Sequence, residues 1–272
     1  MKLYVLDCGY QTTDMNSLVG NTTFPTLDNL NPGYIWKKIP INCFLIDHPD
    51  VGYILFDTAC DPLWKEHWNS AMQVISPYTA TEDQFLLSRL DQLNVSPDDV
   101  KIVIMSHLHV DHAGNLKHFK NAKIFVDNNE ITNVVRQFFL REKTFAHMRS
   151  DIQQALEAEL TWRPVMEDEN ILEVAKGVKI VRAGSGHSFG MLAMHVSLDS
   201  GKQFLMVADA IYMPENIYPE LKVPGNVYDT VGYRRAAVYL KKYAEENGAE
   251  ILYGHCMDQF ETLTHSTEGY YE

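Results

Sequence analysis

Three histidines and an aspartate fall within six residues in the stretch Ser106-His107-Leu108-His109-Val110-Asp111-His112-Ala113-Gly114. Imidazole nitrogens and a carboxylate suit a borderline divalent metal such as zinc. A solvated polar turn has no use for four such groups at alternating and adjacent positions. Three further groups, His187, Asp209 and His255, follow strand-like runs as His107 does. Ligands delivered by several strand ends can converge on one point, and open α/β sheets place their sites at the carboxyl ends of strands. The candidate metal ligands are therefore His107, His109, Asp111, His112, His187, Asp209 and His255. One tetrahedral zinc takes about four ligands. Seven suit two divalent ions if one carboxylate bridges, and two ions about 3.5–4 Å apart can hold a hydroxide between them and clamp a substrate oxygen.

The elements that must position these groups read as follows. Residues 2–8 alternate as a strand. Residues 11–38 are rich in Thr, Asn, Gly and Pro and read as a long loop able to close over a pocket. Pro40 to Asp47 and Tyr53 to Thr58 form two strands joined by a turn-rich link. A helix over 82–93, with Thr81 as N-cap, precedes the apolar strand Val100 to Met105 that feeds the histidine stretch. A short strand runs from Lys123 to Val126, and 128–165 reads as a helical insertion over one face. Strands at Val178 to Ala183, Met191 to Leu198 and Phe204 to Ala208 follow. An amphipathic helix over 229–246 precedes a last strand, Ile251 to Tyr253. No internal repeat or low-complexity segment is evident, and 1–272 reads as a single domain.

Composition bounds the partners. Of the 272 residues, 46% are apolar and 22% charged, enough for a substantial core. The formal net charge of −13 argues against nucleic acid and against an anionic membrane surface. The apolar run near Met1 is too short for a signal peptide, and no stretch approaches a membrane span. Cys8, Cys43, Cys60 and Cys256 show no CxxC pairing and read as reduced thiols, so a cytoplasmic protein is expected.

The HxHxDH pattern, the later Gly-His, the strand-end Asp209 and the terminal Gly-His resemble the metallo-β-lactamase superfamily, from Phe56-Asp57-Thr58 to His255. The resemblance implies an α/β fold, the αββα four-layer sandwich, with its site at one edge of two packed sheets. It implies that His107, His109 and His187 hold one metal, that Asp111, His112 and His255 hold the other, and that Asp209 bridges them. It also implies a carboxylate at Asp57 that orients a ligand histidine. This chain has Ala59 where many relatives place Gly. A flavodiiron-type redox site would need an acidic residue at His109, metallo-β-lactamases proper generally lack the bridging aspartate, and ribonuclease-type members do not fit the acidic balance.

Tyr212, three residues past Asp209, looks like the tyrosine of the N-acyl-homoserine lactonase branch. A phenol near the metals can hydrogen-bond a carbonyl oxygen or its developing oxyanion. The resemblance implies attack of a bridging hydroxide on a small-molecule lactone, with Tyr212 on the carbonyl and Asp111 shuttling the proton to the leaving oxygen. Val110 stands where such lactonases often carry Phe, which leaves another lactone open. Met15, Leu18, Phe24, Trp36, Phe138 and Phe139 are candidates for an apolar groove. Two rivals remain. One is a glyoxalase II-type thioesterase, whose basic pocket would draw on Lys241 and Lys242; the other is a non-catalytic metal-binding protein. His48, His67, His118, His147, His195 and His265 match no motif position and read as surface or core residues.

Overall fold

The structure, a computed structural model, describes residues 1–142, 144 and 146–272. Two sheets lie face to face. The first contains β1 (Lys2–Asp14), β2 (Trp36–His48), β3 (Gly52–Phe56), β4 (Tyr78–Thr79), β5 (Val100–Ile104), β6 (Lys123–Asp127) and β7 (Thr161–Val165), in the order β4-β1-β2-β3-β5-β6-β7. The second contains β8 (Ile171–Ala175), β9 (Val178–Gly184), β10 (Met191–Ser197), β11 (Gln203–Ala208) and β12 (Glu250–Tyr253), in the order β12-β11-β10-β9-β8. β1, β2 and β3 form an antiparallel meander, whereas β3, β5, β6 and β7 run parallel.

Period-2 alternation assigns the layers. In β5, Ile102 and Ile104 face the second sheet, while Val103 faces outward into a helix-covered core. In β2, Phe44 and Ile46 point inward, and Cys43 and Leu45 outward. A strand buried on both faces reads as continuous apolar sequence, as β5 does from Ile102 to Ile104. The outer face of the first sheet is covered by Leu86–Gln92, Asn128–Phe139 and Arg149–Glu157, which contribute Leu90, Val134 and Ile152. The outer face of the second is covered by Thr230–Asn247 through Tyr233, Ala237 and Leu240. Asp229 caps that helix, accepting from the backbone N–H of Val231 and Gly232, and Gly248 ends it at φ +61°. The layers are therefore αββα, as the family resemblance implied. No helix among the described residues is long and apolar enough to cross a membrane.

Three boundaries differ from expectation. β1 continues through Gln11, Thr12, Thr13 and Asp14, after a register shift between Asp7 and Tyr10. A short helix, Met15–Leu18, follows, and β2 begins at Trp36, so the loop occupies 19–35 rather than 11–38. The segment 128–165 is a crossover rather than a wholly helical insertion. Its last residues form β7, parallel to β6, because Thr161, Trp162 and Val165 continue the sheet edge. Lys143 and Phe145, within that segment, lie outside the described residues. β4 and β8 were not anticipated: the first has only two residues, and the second alternates weakly at a half-exposed edge.

Candidate metal centre and cavity

β5 delivers Ser106 and the histidine stretch at its carboxyl end, and the following turn is fixed against the loop after β3. Thr58 N–H donates to the His112 carbonyl (2.7 Å), Gly114 N–H to the Ala59 carbonyl (2.8 Å), and Asn115 Nδ2 to the Thr58 and Cys60 carbonyls (2.8 Å each). Gly114 is needed here. A Cβ on it would lie 2.1 Å from the Asp61 nitrogen and 2.5 Å from the Cys60 carbonyl carbon. Ala59 sits at φ +53°, which accounts for the glycine common at that place in the resembled family.

All seven predicted ligand residues are brought together and buried. They fall into two groups that could each hold a metal ion. The first is His107, His109 and His187, and the second is Asp111, His112, Asp209 and His255. Asp209 faces both. Its Oδ2 is 3.2 Å from His187 Nε2, and its Oδ1 is 3.2 Å from His112 Nε2 and 3.0 Å from His255 Nε2. In the first group, His109 Nδ1 lies 3.0 Å from His107 Nε2 and 2.8 Å from His187 Nε2.

Acceptors on the outer side of the rings explain why these nitrogens face one another. His112 Nδ1 donates to Asp57 Oδ2 (2.8 Å), His187 Nδ1 to the Asn226 carbonyl (3.1 Å) and His255 Nδ1 to the Pro40 carbonyl (3.0 Å). The protons are thereby held outside, and the inward Nε2 atoms carry lone pairs. His112 Nε2 and Asp209 Oδ1 are buried with no hydrogen-bond partner among the described residues. Converging imidazole nitrogens and carboxylate oxygens, two of them buried without a partner, fit divalent cations. Burial and the neighbouring His112 imidazole push His107 well below the ordinary histidine range, and burial and His147 do the same to His109. Burial also disfavours charge on His112 and His255, but the carboxylates of Asp111 and Asp209 outweigh it and raise both.

Two buried carboxylates support the centre from different sides. Asp57 accepts from Ser106 N–H (2.7 Å) as well as from His112. Glu130, fully buried in the first turn of Asn128–Phe139, accepts from Leu108 N–H (2.9 Å), Gly190 N–H (3.1 Å), Ser188 Oγ (2.8 Å) and His147 Nε2 (3.0 Å). It therefore braces the loops that carry His107, His109 and His187. Burial pushes Glu130 up, but the His147 and backbone hydrogen bonds outweigh this and hold it below the usual carboxylate range. His147 is thus part of this support; its ring lies 4.4 Å from that of His109 and stacks on Phe189. Neither Glu130 nor His147 carries a local sequence signal.

The centre forms one end of a cavity of about 330 Å³. His109, Asp111, His187, Asp209, Tyr212 and His255 line that end, and Gln11, Thr13, Leu18, Ile39, Met72 and Ile75 line other walls. Tyr212 is buried among Leu18, Val19 and Ile39, with its Oη 2.8 Å from His187 Nδ1. Burial and the Asp209 charge push its hydroxyl well above the ordinary range, so it stays protonated. The His187 Nδ1–H, directed to the Asn226 carbonyl, also approaches Tyr212 Oη, and the Tyr212 hydroxyl hydrogen-bonds the Asp209 carboxylate.

Of the residues expected to form an apolar groove, Leu18 alone lines the cavity. Phe139 is exposed, Phe138 packs under Arg149, and Phe24 and Trp36 stand on the outside. Val110 is buried in the core beneath the first sheet's helices. Met72 and Ile75, on the short helix Ser70–Ile75, were missed because six residues show no helical period. No Lys or Arg among the described residues lines the cavity; Lys241 lies over Tyr218 and Lys242 pairs with Glu246 on the surface.

Comparison with known proteins gives a consistent picture. The chain is 35% identical over 274 residues to N-acyl homoserine lactonase AiiB of Agrobacterium fabrum, covering 100% of this chain and 99% of that protein. It is equally similar, with the same coverage, to N-acyl homoserine lactonase AiiB of Rhizobium rhizogenes. A crystal structure of a Bacillus thuringiensis AiiA mutant with N-decanoyl-L-homoserine bound at the active site superposes with a TM-score of 0.82 at 23% identity, covering 99% of this chain and 98% of that one. Residues 36–255 match the family described as the metallo-beta-lactamase superfamily, and the chain belongs to that superfamily.

Proposed function

We propose that the chain is a metal-dependent hydrolase that opens the ring of an N-acyl homoserine lactone. The observation that carries this reading is the doubled His/Asp centre, with the protonated Tyr212 beside it, at the end of a cavity in a chain similar over its whole length to two N-acyl homoserine lactonases. His107, His109 and His187 would hold one ion, and Asp111, His112 and His255 the other, with Asp209 shared. The nitrogen and carboxylate donors favour zinc. Bound there, two such ions would supply Lewis acidity and activate water at neutral pH.

The chain's own residues account for the rest. Tyr212 donates its O–H to the lactone carbonyl oxygen and keeps that bond as negative charge develops, which lowers the barrier only if the donor is already in place. Its packing against Leu18, Val19 and Ile39 holds it there. Asp111 lines the cavity beside His255 and is placed to receive the proton of the attacking water and return it to the ring oxygen as the C–O bond breaks. Leu18, Ile39, Met72 and Ile75 offer the acyl chain an apolar wall. A lining with no Lys or Arg among the described residues disfavours a glutathione thioester. The loop at 19–35, beside the cavity wall, is the segment to cover a bound substrate, and a reducing cytoplasm suits the four free thiols.

The test is hydrolysis of N-hexanoyl homoserine lactone by the zinc-loaded protein and by a chelator-treated control. Metal-dependent release of N-hexanoyl homoserine is expected. Two bound metals with no ring opening for any acyl length would refute the reading.

A further inference from the structure

We infer that Gln11 is a specificity-determining residue, whose side-chain amide donates a hydrogen bond to the amide carbonyl of an N-acylated lactone. The inference rests on the lactonase reading above and adds the substrate group this chain selects.

Gln11 lies on β1 with 1% of its surface exposed. Its register partners on the two sides are Ile39 and Tyr78, neighbours that call for nothing polar. Its Nε2 is nonetheless buried and has no hydrogen-bond partner among the described residues. A buried donor without an acceptor is unfavourable, so such a group persists where something else supplies the acceptor. Gln11 and Thr13, two residues apart and so on one face of β1, both line the cavity that ends at the metal centre. Gln11 also sits near that end. Ile39, opposite it, is followed by Pro40, whose carbonyl accepts from His255 Nδ1 at 3.0 Å.

A lactone whose carbonyl occupies the centre presents its α-carbon substituent to the adjoining wall. In an N-acyl homoserine lactone that substituent is an amide, with one strong acceptor oxygen. A simple alkyl lactone has none. A site built to hydrogen-bond a substrate group discriminates strongly against analogues lacking it, because the protein's own donor is then left unpaired.

The experiment compares kcat/KM of the zinc-loaded full chain on N-hexanoyl homoserine lactone and on α-hexyl-γ-butyrolactone, which keeps the ring and an alkyl chain but lacks the amide. Gln11→Leu removes the donor at similar volume. On the N-acyl lactone we expect a fall of about 10- to 100-fold, mainly through KM, with the alkyl lactone changed by no more than about threefold. Gln11→Leu should melt no lower than the parent, since an unpaired buried amide has been replaced by an apolar group. Equal losses on both lactones, an unchanged preference, or a lower melting temperature would each overturn the assignment while leaving the lactonase reading intact. A parent protein that binds two metals and opens neither lactone refutes the lactonase reading, and this inference with it.

Discussion

Replacing Glu130 by Gln is the sharpest test of how the centre is supported. Leu108 N–H and Gly190 N–H bind different oxygens of the carboxylate. A glutamine amide has one oxygen, so whichever way it turns, one of these backbone donors faces an NH₂ group. Ser188 can reverse its hydroxyl, but a backbone N–H cannot. Orphaning it costs about 1–3 kcal/mol, and the remaining contacts lose their charge assistance, so a total of roughly 2–4 kcal/mol is expected. For a chain of this size that is a fall of about 5–10 °C in melting temperature. The site-specific consequence is more telling. Glu130 braces the loops of the His107, His109 and His187 group alone, whereas Asp57 binds His112 directly and reaches His107 only through Ser106. Loss of an orienting partner weakens a metal site by about 10- to 100-fold. Titration of the metal-free variant with zinc against a competing chelator should therefore show one site weakened and one close to the parent's. Asp57→Asn should weaken the other. Equal weakening of both sites in Glu130→Gln, or of neither, would refute the division of support.

Three further outcomes follow from the same geometry. Tyr212→Phe should lower turnover by roughly 100-fold while the protein still binds two metals, as measured by steady-state kinetics and metal analysis; an unchanged rate would reduce Tyr212 to packing. Gly114→Ala drives a methyl into the Asp61 and Cys60 backbone and should destabilise by about 3 kcal/mol in denaturant unfolding; a midpoint equal to the parent's would show that the contact yields. Asp151 is buried beside Asp61, and burial first, then the Asp61 charge, push its carboxyl up from 3.8 to about 7. Since the folded state holds this proton more tightly than the unfolded chain, stability should be unpenalised below about pH 4 and fall by roughly 4 kcal/mol as the pH rises to about 7. Asp151→Asn should flatten that decline in pH-dependent unfolding, and an unaltered slope would count against it.

What was legible in the sequence was local. The histidine stretch, His187, Asp209 and His255 could be found because each follows a strand-like run, while Asp57 and Tyr212 were reached through the family resemblance; the structure gathers the seven candidate ligands into two adjoining groups with Asp57 and Tyr212 beside them. Glu130 was not legible, because a glutamate in the first turn of a helix is usually a response to the helix dipole, and only tertiary packing turns it inward. The continuation of β1 was hidden for a related reason. Gln11 and Thr13 occupy its buried face, where a core strand would carry apolar residues, because that face is cavity wall rather than core. Met72 and Ile75 belong to a helix too short to show a period, and β8 to a strand whose edge position relaxes its alternation. Phe138 and Phe139 illustrate the opposite error: aromatic residues near the site in sequence serve packing and surface.

The 58–60 loop is joined to the 112–115 turn by two main-chain pairs, by the Thr58 hydroxyl on the His112 carbonyl and by the Asn115 amide on the Thr58 and Cys60 carbonyls. The walls come from elsewhere: β1, Ser70–Ile75 and residues 225–226. The segments that react and the segments that choose are therefore largely different stretches of chain, touching where Tyr212 packs on Leu18 and Ile39 and where His187 Nδ1 meets the Asn226 carbonyl. Drift at Met72, Ile75 or Thr13 can retune which molecule is admitted while the catalytic platform inherits no change, so lineages sharing this platform are free to diverge in diet before they diverge in chemistry.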